Sequence, residues 1–237
     1  MRILPPIPIS QQNRAELLDQ KRGAAREVEK SLRDIARINR YLGGAKVVEK
    51  AIWPLLQGRK SATILDIGTG SADIPRFLVE KAARRGVKLT IFAADLLERH
   101  LEVAKRDSQS FPTLFPLGAD AFSLPIRDNG VDIVLASLFL HHFRVPQIET
   151  LFGEFARVSK LGFIANDTIR DAVPLAFFRL TAPIFAKSYL TRYDAVASIR
   201  RAYTAAEMRA IVDSSGITAK VSEHFPYRLS VVHRKLP

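Results

Sequence analysis

The stretch Thr63-Ile64-Leu65-Asp66-Ile67-Gly68-Thr69-Gly70-Ser71-Ala72-Asp73-Ile74-Pro75 constrains the fold more than any other part of the chain. An apolar run meets a carboxylate, two glycines alternate after it, and an apolar segment opening on proline follows. That order reads as strand, tight turn, helix. Proline suits the first turn of a helix, where its missing N–H leaves no bond unmade. The glycines let the backbone approach a ligand closely. The helix N-terminus adds unpaired N–H groups and partial positive charge. The turn is therefore a ligand site, and its neighbours must say which ligand.

From residue 62 onward, strand-like and helix-like segments alternate. Strands are expected at 62–68, 88–94, within 111–117, at 131–137 and at 161–166, with helices at 76–85, 97–107 and 147–158. Near-continuous apolar strands of this kind belong to a parallel sheet covered on both faces. Ligands of such sheets sit at the carboxyl ends of the strands. Asp66 closes the first strand, Asp95 the second, Asp120 follows the third, Ser137 closes the fourth and Asn166-Asp167 the fifth. One polar residue at a strand end commonly just caps the next helix; several along one rim argue for a binding edge.

The flanks differ. Pro5, Pro6 and Pro8 make residues 1–12 an extended arm. Residues 14–42 have a helical pattern carrying a basic stripe, Arg26, Lys30, Arg33, Arg37 and Arg40. The stripe reads as a solvated face, with a clamp for an anionic partner as the rival. Gly43-Gly44 ends it, and a second helix is expected at 46–56. Residues 172–190 look like one or two apolar helices broken by Pro174 and Pro183. Thr204 and Glu207 form a capping box opening a helix to about Ser214. Two strands, 217–225 and 227–234, then suit an antiparallel pair at a sheet edge. The expected organisation is an N-terminal arm and helical cap over 1–60 and a main domain over 61–237, with a helical cover at about 171–203.

Composition narrows the chemistry. At 237 residues the chain holds one sizeable core with an added cover. It has no cysteine, which excludes disulfides, thiolate metal sites and cysteine nucleophiles, and suits a cytoplasmic setting. The opening residues contain no long apolar run, so no signal peptide is expected. A formal net charge of +12 favours anionic partners and equally suits a soluble enzyme with a basic surface.

The glycine turn does not match a dinucleotide fingerprint. Gly68 and Gly70 fill the first two glycine positions, but Asp73 falls on the third, where a carboxylate would face the pyrophosphate. No Gly-Lys-Ser/Thr follows, so a P-loop is excluded. S-adenosylmethionine fits better, having an ammonium, a sulfonium and a ribose diol but no phosphate. Asp66 can hold its cationic methionine end, Asp95 its ribose hydroxyls, and Asp120 with Ala121 its adenine edge.

Asp66-Ile67-Gly68-Thr69-Gly70, Asp95, Gly118-Ala119-Asp120-Ala121 and Ser137-Leu138-Phe139-Leu140-His141-His142-Phe143 resemble successive motifs of class I S-adenosylmethionine-dependent methyltransferases. Ala72 stands where that family often has glycine. The resemblance implies an α/β, Rossmann-like seven-stranded sheet of order 3-2-1-4-5-7-6, with strand 7 antiparallel and helices on both faces. It implies a cofactor site of Asp66, Gly68, Thr69, Gly70, Asp95, Leu96, Asp120, Ala121 and Ser137, with S-adenosylhomocysteine as product. The segments 31–40, Asn166-Asp167 and 198–204 are similar to bacterial small-molecule methyltransferases of quinone- and polyketide-pathway type. That likeness implies a phenolic or polyketide-derived acceptor, with O-methylation favoured over C-methylation.

Removing a phenolic proton near neutral pH calls for a histidine. His141 and His142 follow the fourth strand, and one of them is expected to face the pocket as base. His100, His224 and His233 read as surface or strand residues. No metal-ligand spacing stands out. Phe177, Phe178, Leu180, Ile184, Phe185, Tyr189 and Tyr193 would cover a small hydrophobic aromatic substrate. Basic residues of that cover (Arg179, Lys187, Arg192, Arg200 and Arg201) suit peripheral contact with a membrane surface. The expected state is monomer or homodimer. The alternatives are an RNA or protein methyltransferase, prompted by charge, and a non-catalytic protein that kept the fold. Nucleic acid is set aside because the aromatics do not interleave with the basic stripe.

Overall fold

The computed structural model describes residues 7–20 and 23–235. The expected arm's Pro5 and Pro6, and Lys21-Arg22 of the expected first helix, lie outside the described residues. In chain order the elements are α1 (Ala25–Tyr41), α2 (Gly44–Leu55), β1 (Ser61–Ile67), α3 (Asp73–Ala83), β2 (Lys88–Asp95) and α4 (Glu98–Asp107). Next come β3 (Leu114–Gly118), β4 (Val131–Ser137), a 3-10 turn (Leu140–His142), α5 (Val145–Val158) and β5 (Ser159–Thr168). The chain closes with α6 (Ala172–Phe185), α7 (Tyr189–Arg201), α8 (Ala205–Ser214), β6 (Ala219–His224) and β7 (Arg228–Arg234).

All seven strands form one sheet in the order β3-β2-β1-β4-β5-β7-β6. β1 to β5 pair in parallel, and β7 runs antiparallel to both β5 and β6. The alternation of side chains across each strand separates two cores. Ile64, Ile133 and Leu135 pack with Val48, Ile52 and Leu78 of α2 and α3. Leu65, Val134 and Ala136 face the other way, against Phe152, Phe155 and Met208 of α5 and α8. Burial on both faces explains why these strands read as continuous apolar runs.

The first helix starts later than its pattern suggests. Gly23 has φ +98°, a left-handed conformation that interrupts a helix. Ahead of it, the N–H groups of Leu17 and Leu18 donate to the Asp194 carboxylate at 2.7 and 3.2 Å instead of to helix carbonyls. Residues 14–20 therefore run as a non-helical segment laid against α7. Within α1, Lys30 pairs with Glu27, Arg33 with Glu29 and Arg37 with Asp34, so much of the basic stripe is neutralised locally.

Candidate active site

The glycine turn is built as the sequence requires. Gly68 and Gly70 have φ of +66° and +57°. A Cβ on Gly68 would lie 2.6 Å from Cδ2 of Phe139, so the turn admits no side chain there. Ala72 also has a left-handed φ, +57°, and is fully buried at the start of α3. That conformation is the physical reason glycine suits this position.

Asp66 is the electrostatic focus of the turn. It is 3% exposed and accepts a 2.6 Å hydrogen bond from the Thr69 hydroxyl. Burial, with the charges of Asp73 and Asp95 adding to it, raises its pKa to about 8. Asp95, at the end of β2, accepts from the N–H groups of Gly70 and Leu97, each at 2.9 Å. Its Oδ2 also lies 3.3 Å from Nδ1 of His100, which places that histidine in the cavity wall instead of on the surface. Asp120 turns the chain after β3 by accepting from the Phe122 N–H at 2.9 Å. At the end of β4 the buried Ser137 hydroxyl has no hydrogen-bond partner among the described residues.

These residues share one cavity of about 630 Å³. Every residue expected in the cofactor site lines it: Asp66, Gly68, Thr69, Gly70, Asp95, Leu96, Asp120, Ala121 and Ser137. His141 and His142 line it too, so both histidines reach the same space. The donor set fits S-adenosylmethionine. A protonatable carboxylate with acidic neighbours suits a cationic group, and Ser137 lines the cavity with a hydroxyl that has no partner among the described residues.

The histidines sit differently. Leu138 takes a left-handed φ of +53°, held by its N–H bond to the Asn166 carbonyl at 2.7 Å. This strained residue turns the chain off β4 into the 3-10 turn. His141 is buried, with Nδ1 2.7 Å from Asp167 Oδ1 and Nε2 3.0 Å from Glu16 Oε1. Burial alone would depress its pKa, but Asp167 and Glu16 outweigh it and raise the value to about 10. Burial likewise opposes ionisation of Glu16, yet His142 and His141 bring its pKa down to about 2. His141 is thus an imidazolium locked between two carboxylates, with neither ring nitrogen left for a substrate. Asp167, a member of this triad, and its neighbour Asn166 are not part of the cavity wall, contrary to the rim position expected of them.

His142 is half-open. Its Nδ1 lies 2.7 Å from Asp19 Oδ2, a contact in which Nδ1 donates to the carboxylate. Its ring lies 4.2 Å, centroid to centroid, from that of His141. Arg201 donates to the His142 carbonyl and stands 3.8 Å from Asp19, closing the cluster. Glu16 also accepts from the Ser198 hydroxyl at 2.6 Å. Glu16, His141 and His142 bring three ligand-type atoms within 4.8 Å of one another, although Glu16 and His141 already satisfy each other by direct hydrogen bonding.

Sequence reasoning missed Glu16, Asp19, Asp194 and Ser198, and Arg201, expected to meet a membrane surface, is instead buried and turned into this cluster. Their contacts join residues 59 to 182 positions apart, so no local spacing announces them. The expected aromatic cover is also corrected. Phe177 and Phe178 line the cavity, but Leu180, Ile184, Phe185, Tyr189 and Tyr193 do not. The helices turn those side chains toward other neighbours or toward solvent, and α7 supplies Thr191, Ala195 and Ile199 to the wall in their place.

Residues 64–162 match the family described as Methyltransferase domain. This segment is similar to a methyltransferase domain. The chain is 32% identical over 103 residues to a ubiquinone/menaquinone biosynthesis C-methyltransferase, UbiE, of Rickettsia typhi, covering 42% of this chain and 41% of the relative. It is 33% identical over 122 residues to a malonyl-[acyl-carrier protein] O-methyltransferase of Marinomonas sp., covering 52% and 43%. The chain thus spans about two fifths of the length of these curated relatives. A S-adenosylmethionine-dependent methyltransferase from Aquifex aeolicus shares the fold, with TM-score 0.63, 18% identity, and 91% and 100% of the two chains covered. The matched segment holds the whole glycine turn and both histidines, whereas Glu16, Asp19 and α7 fall outside it.

Proposed function

We propose that this methyltransferase domain transfers the methyl group of S-adenosylmethionine to a small hydrophobic acceptor, a phenolic hydroxyl of a polyketide-derived, phenolic-lipid or quinone-like compound. One observation carries the reading: cofactor-type residues, a half-open histidine and an apolar wall of Ile35, Ile38, Phe178 and Ile199 line a single cavity. Bound S-adenosylmethionine supplies an activated methyl group on its sulfonium. The protein's part is then alignment, desolvation and removal of the acceptor proton.

Asp66, Asp95 and Asp120 fix the cofactor at the tips of β1 to β3. Nε2 of His142 takes the phenolic proton as the oxygen becomes a nucleophile. Asp19, holding Nδ1, is a positioning residue that keeps the lone pair on Nε2. His141 is reassigned from base to scaffold: its cation ties Glu16 of the N-terminal segment to Asp167 of β5.

C-methylation of the same ring class is the second reading, favoured by the similarity to a quinone C-methyltransferase. Loss of the phenolic proton enriches the ring carbon beside the oxygen as well; after methyl transfer to that carbon, its hydrogen leaves as a proton and the phenol is restored, so the same base serves the first step of both outcomes. The test is incubation with methyl-labelled S-adenosylmethionine and an extract of phenolic lipids and quinone precursors. Label in the organic phase supports the proposal, and mass spectrometry of the product separates an O-methyl ether from a ring methyl. Label confined to an RNA or protein fraction contradicts it.

A further inference from the structure

α6 has two faces. Its inner face packs Leu175 and Phe178 against Ile38 and Ile199. Its outer face carries Phe177, Leu180 and Ile184, spaced i, i+3, i+7, at 46%, 79% and 65% exposure. Tyr189, at the start of α7, is 54% exposed. Of the ten exposed large apolar side chains among the described residues, these four fall within one span of 13 residues. Singly scattered apolar side chains are ordinary on a surface, but a cluster marks an interaction face.

Along the sequence this segment carries charge of one sign, and the carboxylates that reach it from α1, Glu27 and Asp34, are engaged by Ser188, Lys30 and Arg37. Residues 172–193 contain Arg179, Lys187 and Arg192 and neither aspartate nor glutamate. All three cations are exposed, and Arg179 and Lys187 have no ion-pair partner among the described residues. Arg192 donates Nε to the Ala186 carbonyl at 2.8 Å, which leaves its charge at the junction of α6 and α7. Among the described residues no helix is long and apolar enough to cross a membrane, so this face would lie on a surface and not span it.

We propose that the outer face of α6 docks the protein onto an anionic lipid bilayer, with Phe177, Leu180 and Ile184 entering the interface and Arg179, Lys187 and Arg192 meeting the headgroups. A second copy of the chain is a poorer occupant, because it would set one cationic face against another. Nucleic acid is poorer as well, because phosphates would be laid against Leu180 and Ile184. Phe177 belongs to both the exposed face and the cavity wall. The docked face therefore adjoins the cavity, and a lipid-soluble acceptor could pass from one to the other without crossing water.

The test is flotation of the full chain with vesicles of phosphatidylglycerol and phosphatidylcholine in equal parts, against vesicles of phosphatidylcholine alone. The wild type floats with the mixed vesicles and associates about tenfold less with the neutral ones. Leu180→Asp with Ile184→Asp lowers association by about tenfold or more. Arg179→Glu with Lys187→Glu reduces it to the neutral-vesicle level. These side chains are exposed, so the circular dichroism spectrum stays unchanged in both double variants. Absence of wild-type flotation overturns the proposal, as does equal flotation of the Leu180→Asp, Ile184→Asp protein. A concentration-dependent dimer in light scattering that this same double variant abolishes also overturns it, assigning the face to self-association.

Discussion

The two ends of the cavity are built on different principles. The end expected to hold the cofactor comes from one sheet rim, where β1, β2 and β3 deliver Asp66, Asp95 and Asp120 in sequence order. Its key contacts are short in the chain, such as Thr69 to Asp66 and Leu97 to Asp95. The end expected to hold the acceptor is assembled from a non-helical N-terminal segment, the 3-10 turn, α6 and α7. Its contacts join residues 123, 125 and 182 positions apart. A local design can be read from spacing; a non-local one appears only when the chain is folded. The two ends should therefore fail separately when mutated.

The largest expected effect sharpens that separation. His142→Ala lowers kcat by about 10²–10⁴-fold, the usual worth of a general base, with the cofactor Kd unchanged. Asp19→Asn gives a smaller drop in the same parameter, because the ring remains but its tautomer is no longer held. Steady-state kinetics beside calorimetric titration of S-adenosylmethionine checks both. A loss of cofactor affinity in either variant would merge the two ends.

His141→Ala acts on folding. It leaves Glu16 and Asp167 buried without their shared cation, at a cost of about 3–5 kcal/mol in thermal or urea unfolding. The linkage has a definite sign. The native pKa of His141, about 10, lies above its ordinary value, so its stabilisation is complete at pH below the unfolded value and fades as pH rises toward about 10. Glu16, brought down to about 2, contributes above its ordinary range and loses that contribution only as pH falls toward about 2. The melting temperature should accordingly decline between neutral and alkaline pH, and decline less in the His141→Ala protein.

Gly68→Ala strikes the other end. Its Cβ would sit 2.6 Å from Phe139 at a φ of +66°, costing about 1–3 kcal/mol of local strain. Cofactor affinity should fall about tenfold to a hundredfold, with residual turnover following cofactor saturation.

The smallest effect concerns Asp66. A cationic ligand prefers its carboxylate, and the free protein holds that group protonated below about pH 8. Affinity for S-adenosylmethionine should rise with pH, by at most about tenfold per unit, and level off near that value. Asp66→Asn should weaken binding and flatten the dependence.

The contrast also sets what the sequence could reveal. The strands, the antiparallel edge pair and the carboxylates at the strand ends were legible because side-chain alternation and glycine turns are local signals, whereas the strand order followed only from the resemblance of the motifs to class I methyltransferases. The helix boundary at Ala25 was not, because the Asp194 carboxylate captures N–H groups that local pattern assigns to a helix. Which histidine is free was equally hidden. The two are adjacent in sequence and alike in composition, and only Glu16 and Asp167 single out His141. Of the seven residues expected in the apolar cover only Phe177 and Phe178 line the cavity, for the same reason: periodicity marks α6 as amphipathic but does not say which face meets the cavity.

The most direct test of separable ends is a paired titration and turnover assay on Asp95→Ala and His142→Ala with a phenolic acceptor. The account predicts that Asp95→Ala loses cofactor binding, whereas His142→Ala binds S-adenosylmethionine within about twofold of wild type and loses methyl transfer. Loss of cofactor binding in His142→Ala, or full turnover by it at neutral pH, would contradict the account.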